Sequence, residues 1–209
     1  MGEWSKAVGF SVLVFVVFQA GYASWNFSLE ALGKVFALES VVLISLTFLI
    51  GSLSRYRPSW FDRFKPYRKA LGVIGFALAA LHVFFSLYLW FGFDFSMVLS
   101  SAKIVPILVG WVAFAIFSAM ALLSDERWVK KLGFPLWKKI QRLGYLALAL
   151  VLVHFFWMEL KEGVFNVKPL GQAVFVLALV AILARCHVHI AGLIPRKPLR
   201  DPVRNRTRI

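Results

Sequence analysis

Six long apolar runs, separated by short polar stretches, make up the hydropathy pattern of this chain. They cover roughly residues 7 to 24, 34 to 53, 70 to 92, 103 to 123, 142 to 161 and 170 to 192. A helix needs about 20 apolar residues to cross the hydrocarbon core of a bilayer, and each run is close to that length. The pattern predicts an all-α integral membrane protein built as a six-transmembrane-helix bundle. The first run is as long as a signal peptide, but its leading residues are weakly basic and GYASWNF is an indifferent cleavage site. We read it as a retained first span.

The polar stretches alternate in charge. Residues 54 to 69 carry six Lys and Arg, residues 124 to 142 carry six more, the stretch from Arg185 onward carries seven, and Lys6 precedes the first run. The opposite connections hold only Lys34, Lys103, Lys161 and Lys168. Twenty basic residues against four is the positive-inside asymmetry, which predicts both termini in the cytoplasm and requires an even number of spans. Pro58, Pro66 and Pro135 punctuate the two basic loops, which therefore read as compact connectors. Trp60, Trp90, Trp128, Trp137 and Trp157 fall at or beside span ends, where indole rings favour the headgroup layer.

Composition narrows the function classes. The 209 residues are 60% hydrophobic and only 16% charged, far more apolar than a soluble domain of this size. There is no G-x-G-x-x-G fingerprint and no polar stretch long enough for a separate enzyme domain, so nicotinamide chemistry would have to come from a partner. The net charge of +14 flanks spans on one side, which indicates a lipid bilayer and no nucleic acid as the partner. Cys186 is the single cysteine, which excludes an intramolecular disulfide and a cysteine-held iron–sulfur or zinc site. Residues 1–195 read as one six-helix domain. Residues 196–209 read as a basic cytoplasmic tail, disordered or drawn to anionic headgroups at about 1 kcal/mol per basic residue close to the surface.

Two histidines stand inside apolar runs, His82 in the third and His154 in the fifth. Ionisable groups in hydrocarbon are costly and mark function by default. Both runs start in the cytoplasm, and each histidine lies 12 residues in from Ala70 or Arg142, about 18 Å at 1.5 Å per residue. Level imidazoles on parallel helices can face the two axial positions of one haem iron, each nitrogen coordinating at roughly 2 Å. Zinc or copper would want three or four protein ligands, and no third is expected at that depth. The alternative is that each histidine simply bonds a carbonyl of a neighbouring helix. Small residues precede both: Gly72, Gly75 and Ala79 before His82, and Gly144, Ala147 and Val151 before His154. Their spacing fits close helix packing or a flat cleft for a macrocycle equally well. His187 and His189 near the end of the sixth span read as interfacial residues, with a second metal site the less favoured reading. Glu39 in the second span is expected to pair with Lys34 or face the headgroups, ahead of proton or quinone chemistry.

Taken in order, these residues resemble the ferric-reductase-like transmembrane family, and within it the small MsrQ type. The resemblance runs from about Ala37 to Trp157 through GSLSRY, Arg68, Lys69, Leu71 and Gly72, Leu81 and His82, Gly110 and Trp111, Lys131 to Gly133, Trp137, Tyr145, His154 and Trp157. It implies six helices with b-type haem between helices 3 and 5, His82 and His154 as axial ligands of the haem iron, and a place in a bacterial inner membrane. It also implies electron flow from a cytoplasmic flavin reductase or the quinol pool to a periplasmic molybdopterin enzyme that repairs oxidised methionine. Arg68 and Lys69 match a basic pair beside a haem propionate, a flavin such as FMN, or a quinone headgroup. MsrQ-type proteins carry a further histidine where this chain has Gln141, so one haem is expected. A stand-alone ferric or superoxide-producing reductase is the alternative within the same chemistry. A cofactor-free small transporter or assembly factor is the alternative outside it. No nucleophile–base pair or carboxylate dyad occurs, so an electron-transfer subunit is expected to break no bonds itself.

Overall fold

A computed structural model of the chain describes residues 2–193. Six long helices follow one another: α1 (Glu3–Gly21), α2 (Leu29–Tyr56), α3 (Tyr67–Phe91), α4 (Ile104–Leu122), α5 (Phe134–Glu159) and α6 (Pro169–Leu193). Each is long and apolar enough to cross a membrane, and large apolar side chains such as Val12, Leu13, Leu122 and Leu183 are exposed on the outside. The protein is a multi-pass membrane protein. Its helices connect at a basic end, through residues 57–66 and 123–133, and at a far end, through residues 22–28, 92–103 and 160–168. The start of α1 and the end of α6 share the basic end. The basic stretch 196–209 lies outside the described residues.

Local chemistry sets the boundaries. Ser28 caps α2 by accepting the Ala31 N–H at 3.3 Å, which satisfies one of the free donors of the first turn. α3 stops at Gly92, whose φ of 52° is the left-handed conformation glycine takes most easily. The largest departure from the sequence expectation is α5, which begins at Phe134 where a connector was expected to run to residue 142. Pro135 falls in the first turn, where a missing N–H costs no hydrogen bond, so it starts the helix instead of interrupting the loop. Short helices at Pro58–Phe61, Phe95–Leu99 and Glu126–Leu132 lie along the connections. Asp125 caps the last of them, and the Arg127 N–H at 2.9 Å holds its carboxyl below the usual carboxylate range.

A two-stranded hairpin, β1 (Leu160–Lys161) with antiparallel β2 (Val164–Phe165), is a small addition to the all-α expectation. Glu162 and Gly163 both have positive φ, 51° and 80°, the geometry of the tight two-residue hairpin turn.

α2 is the hub of the bundle, packed on α1, α3 and α6, while α4 packs on α5. The core joins Leu38 and Phe48 of α2, Ala113 and Phe117 of α4, Ala147 and Leu148 of α5, and Ala178 and Ala181 of α6. In lipid, where apolar burial drives helices together only weakly, such small residues allow the close approach that dispersion needs. Gly75 faces Leu43 and Ile44, and Gly144 faces Phe48 and Met120. α3 and α5 carry the two intramembrane histidines and are not among the closely packed pairs.

Glu39 has another partner than expected. Lys34 pairs with Glu30 one turn away at 2.7 Å. Glu39 is 1% exposed and accepts a hydrogen bond at 2.5 Å from Ser11 of α1. It faces neither Lys34 nor the headgroups. The first helix, which the sequence reading treated only as a span, brings the hydroxyl that makes its burial tolerable.

Candidate functional site

His82 lies nine residues before the far end of α3 at Phe91, and His154 five before the far end of α5 at Glu159. Both therefore sit toward the far end. Counted from those ends they differ by four residues, about 6 Å of helical rise.

Each ring is held in the same way. His82 Nδ1 lies 3.0 Å from the Gly33 carbonyl of α2, and His154 Nδ1 lies 2.7 Å from the Pro106 carbonyl of α4. A carbonyl oxygen can only accept, so Nδ1 carries the proton and donates in both rings, and Nε2 keeps its lone pair. Neither Nε2 has a hydrogen-bond partner among the described residues. His154 lies flat against a gap in α4: a Cβ added at Gly110 would come within 2.7 Å of His154 Nδ1 and 3.0 Å of its Cε1. Glycine at 110 is thus the seat of the ring.

A carbonyl bond at each histidine is what a merely structural residue would also make. One cavity of about 670 Å³ is lined by both His82 and His154, within the size range of cofactor sites. Its walls are Val83, Phe85, Ile107, Phe114, Val151 and Phe155, with Val41, Ile44, Phe117 and Leu148 toward the bundle centre. Polar groups gather at the far mouth, where Glu30, Lys34, Ser101, Lys103 and Glu159 line it. The small residues before the histidines divide their duties. Ala79 and Val151 line the cavity, whereas Gly75 and Gly144 fill helix contacts deeper in the bundle.

The chemistry of the donor set suits a macrocyclic metal group. No cluster of three or more His, Cys, Asp or Glu residues able to hold a bare metal ion occurs among the described residues. Two imidazoles with free Nε2 atoms, across one apolar slot, are what a porphyrin iron still needs once its own four nitrogens are counted.

The other residues singled out in the sequence stand elsewhere. Arg68 Nε donates to the Thr47 carbonyl at 2.9 Å, Lys69 is exposed, and neither lines the cavity. Gln141 donates to the Met120 carbonyl at 3.5 Å, on the basic side of the slot. His187 meets the Tyr56 hydroxyl through Nδ1 at the basic end, and His189 is exposed. The residues that sequence reasoning missed at the site are Gly33 and Pro106, which orient the rings, and Lys34 and Lys103, seen there as sparse far-side charges and, for Lys34, as a partner for Glu39. Gly110 was noted within a motif, but its role needed the facing helix.

Residues 36–165 match the family described as ferric reductase like transmembrane component. The chain is 33% identical over 149 residues to the protein-methionine-sulfoxide reductase heme-binding subunit MsrQ of Herminiimonas arsenicoxydans, covering 68% of this chain and 66% of that protein. It is 34% identical over 116 residues to the protein of the same name from Polaromonas naphthalenivorans strain CJ2, covering 54% and 52%. It is also 32% identical over 140 residues to magnetosome protein MamZ of Magnetospirillum gryphiswaldense, covering 65% of this chain and 21% of that longer protein. The match thus spans just under two thirds of the first relative and about half of the second.

Proposed function

We propose that this chain, which belongs to the ferric reductase-like transmembrane family, is a haem-binding subunit that carries electrons through a bacterial inner membrane to an acceptor on its far side. The two MsrQ relatives are named as heme-binding subunits of a protein-methionine-sulfoxide reductase, which supports a periplasmic enzyme that reduces methionine sulfoxide as that acceptor. A cytoplasmic flavin reductase or the quinol pool is the donor. The observation that carries the reading is the pair of histidines, each held through Nδ1 with Nε2 left free, that line one largely apolar cavity.

His82 and His154 hold one b-type haem through Nε2. Their Nδ1–H bonds to Gly33 and Pro106 fix the tautomer and the ring planes, and make each imidazole a better donor. Bound haem supplies a one-electron couple. The walls of Val83, Ile107, Phe114 and Val151 limit water in the slot, one of the levers on haem potential. With His82 and His154 both engaged in holding the haem, the chain would relay electrons and the bond-breaking would belong to its partner. The basic end, with its twelve Lys and Arg within residues 54–69 and 124–142, attracts an acidic reductase or an anionic cofactor.

The test is vectorial. In vesicles with ferricyanide trapped inside, reduced flavin mononucleotide added outside should drive its reduction, and His82→Ala or His154→Ala should abolish the transfer. Haem-loaded vesicles that leave the trapped acceptor oxidised would contradict an electron conduit.

A further inference from the structure

The carboxylates and ammonium groups that line the cavity stand at one end of it, and that asymmetry has a use. We propose that Lys34 and Lys103 form a carboxylate-anchoring site at its far mouth, which takes the two propionates of the haem and sets the charged edge of the macrocycle toward the far side. The inference rests on the haem reading above and adds an orientation to it.

An ionised carboxylate cannot rest among Val41, Ile44, Phe117 and Leu148 without a partner. Among the described residues Lys34 and Lys103 are the cations that line the cavity, and they approach from two different helix ends. Lys34 stands in the second turn of α2, and Lys103 immediately precedes α4. Lys103 Nζ donates to the Met158 carbonyl at 2.9 Å, a bond that places the ammonium at the mouth and leaves two of its three N–H groups. Lys34 is paired with Glu30, but both side chains are about half exposed, and such pairs are weakly held. Ser101, on the same rim, offers a hydroxyl. Arg68, which the family resemblance offers as a propionate, flavin or quinone contact, is bound to α2 through Thr47 and does not line the cavity.

Two acids share the rim, Glu30 and Glu159. Glu30 competes with a propionate for Lys34, so the site makes a prediction of opposite sign: Glu30→Gln should tighten what Lys34→Gln loosens. An outward charged edge also puts the haem's polar side where an acceptor docks, and leaves the apolar edge toward the electron donor.

The experiment uses the full-length protein in detergent, loaded either with iron protoporphyrin IX or with its dimethyl ester, and follows haem loss to excess apomyoglobin. With the natural haem, Lys34→Gln and Lys103→Gln should each speed the loss by about tenfold, Lys103→Arg should restore retention, and Glu30→Gln should slow the loss. With the ester, all of these proteins should lose haem at one rate. The low-spin bis-histidine spectrum should persist throughout. Unchanged retention in the double Lys variant would overturn the proposal, as would a lysine effect that survives esterification. A wild-type protein that takes up no low-spin haem would instead remove the reading on which the proposal rests.

Discussion

At the scale of single residues, the site depends on what faces each imidazole as much as on the imidazoles themselves. The sequence made His82 and His154 conspicuous because they interrupt apolar runs. It could not show which carbonyls orient them, since Gly33 and Pro106 lie 49 and 48 residues away along the chain. Gly110 makes the sharpest residue-scale prediction. Alanine favours helix over glycine by about 1 kcal/mol, which offsets part of the crowding that Gly110→Ala brings. Its methyl group would nevertheless meet the His154 ring at 2.7 Å. The expected result is a folded protein, by circular dichroism and thermal melting, that has lost its low-spin haem or holds it with a high-spin spectrum. Unaltered haem binding in Gly110→Ala would show that the ring has room to shift.

At the scale of elements, the six helices were legible because lipid demands long apolar runs, and charge asymmetry paired their ends. The start of α5 was not, because Lys138, Lys139 and Arg142 make residues 134–142 look like loop, although Pro135 is well suited to a first turn. The small-residue stripes were legible as a pattern but not as a division of labour, which needs the partner helix. Gly144 touches Phe48 and Met120, so Gly144→Ala should cost about 1–3 kcal/mol as overpacking, read as a lower melting temperature in detergent while the haem spectrum keeps its shape. α1 is tied to α2 through Ser11 and the buried Glu39. Ser11→Ala leaves that carboxyl without its hydroxyl and should cost about 1–3 kcal/mol, seen as easier proteolysis of α1 in vesicles. Neither change touches the cavity, so haem content should stay constant in both.

At the scale of the whole molecule, the account needs a defined orientation and a single haem. With Cys186→Ser as background, Ser100→Cys at the far end should react with a membrane-impermeant maleimide in intact spheroplasts, and Ser59→Cys at the basic end only after lysis. The reverse labelling would invert the direction of electron flow. The haem count follows from Gln141, which bonds to α4 where a further histidine would be needed, and from His187 and His189, which stand apart from the cavity. The most direct measurement is a pyridine haemochrome assay on purified protein, paired with the dithionite-reduced spectrum, for the wild type and for His82→Ala and His154→Ala. The account expects about one low-spin b-type haem per chain, lost in each variant. Two haems per chain, or a low-spin haem retained in both variants, would contradict it.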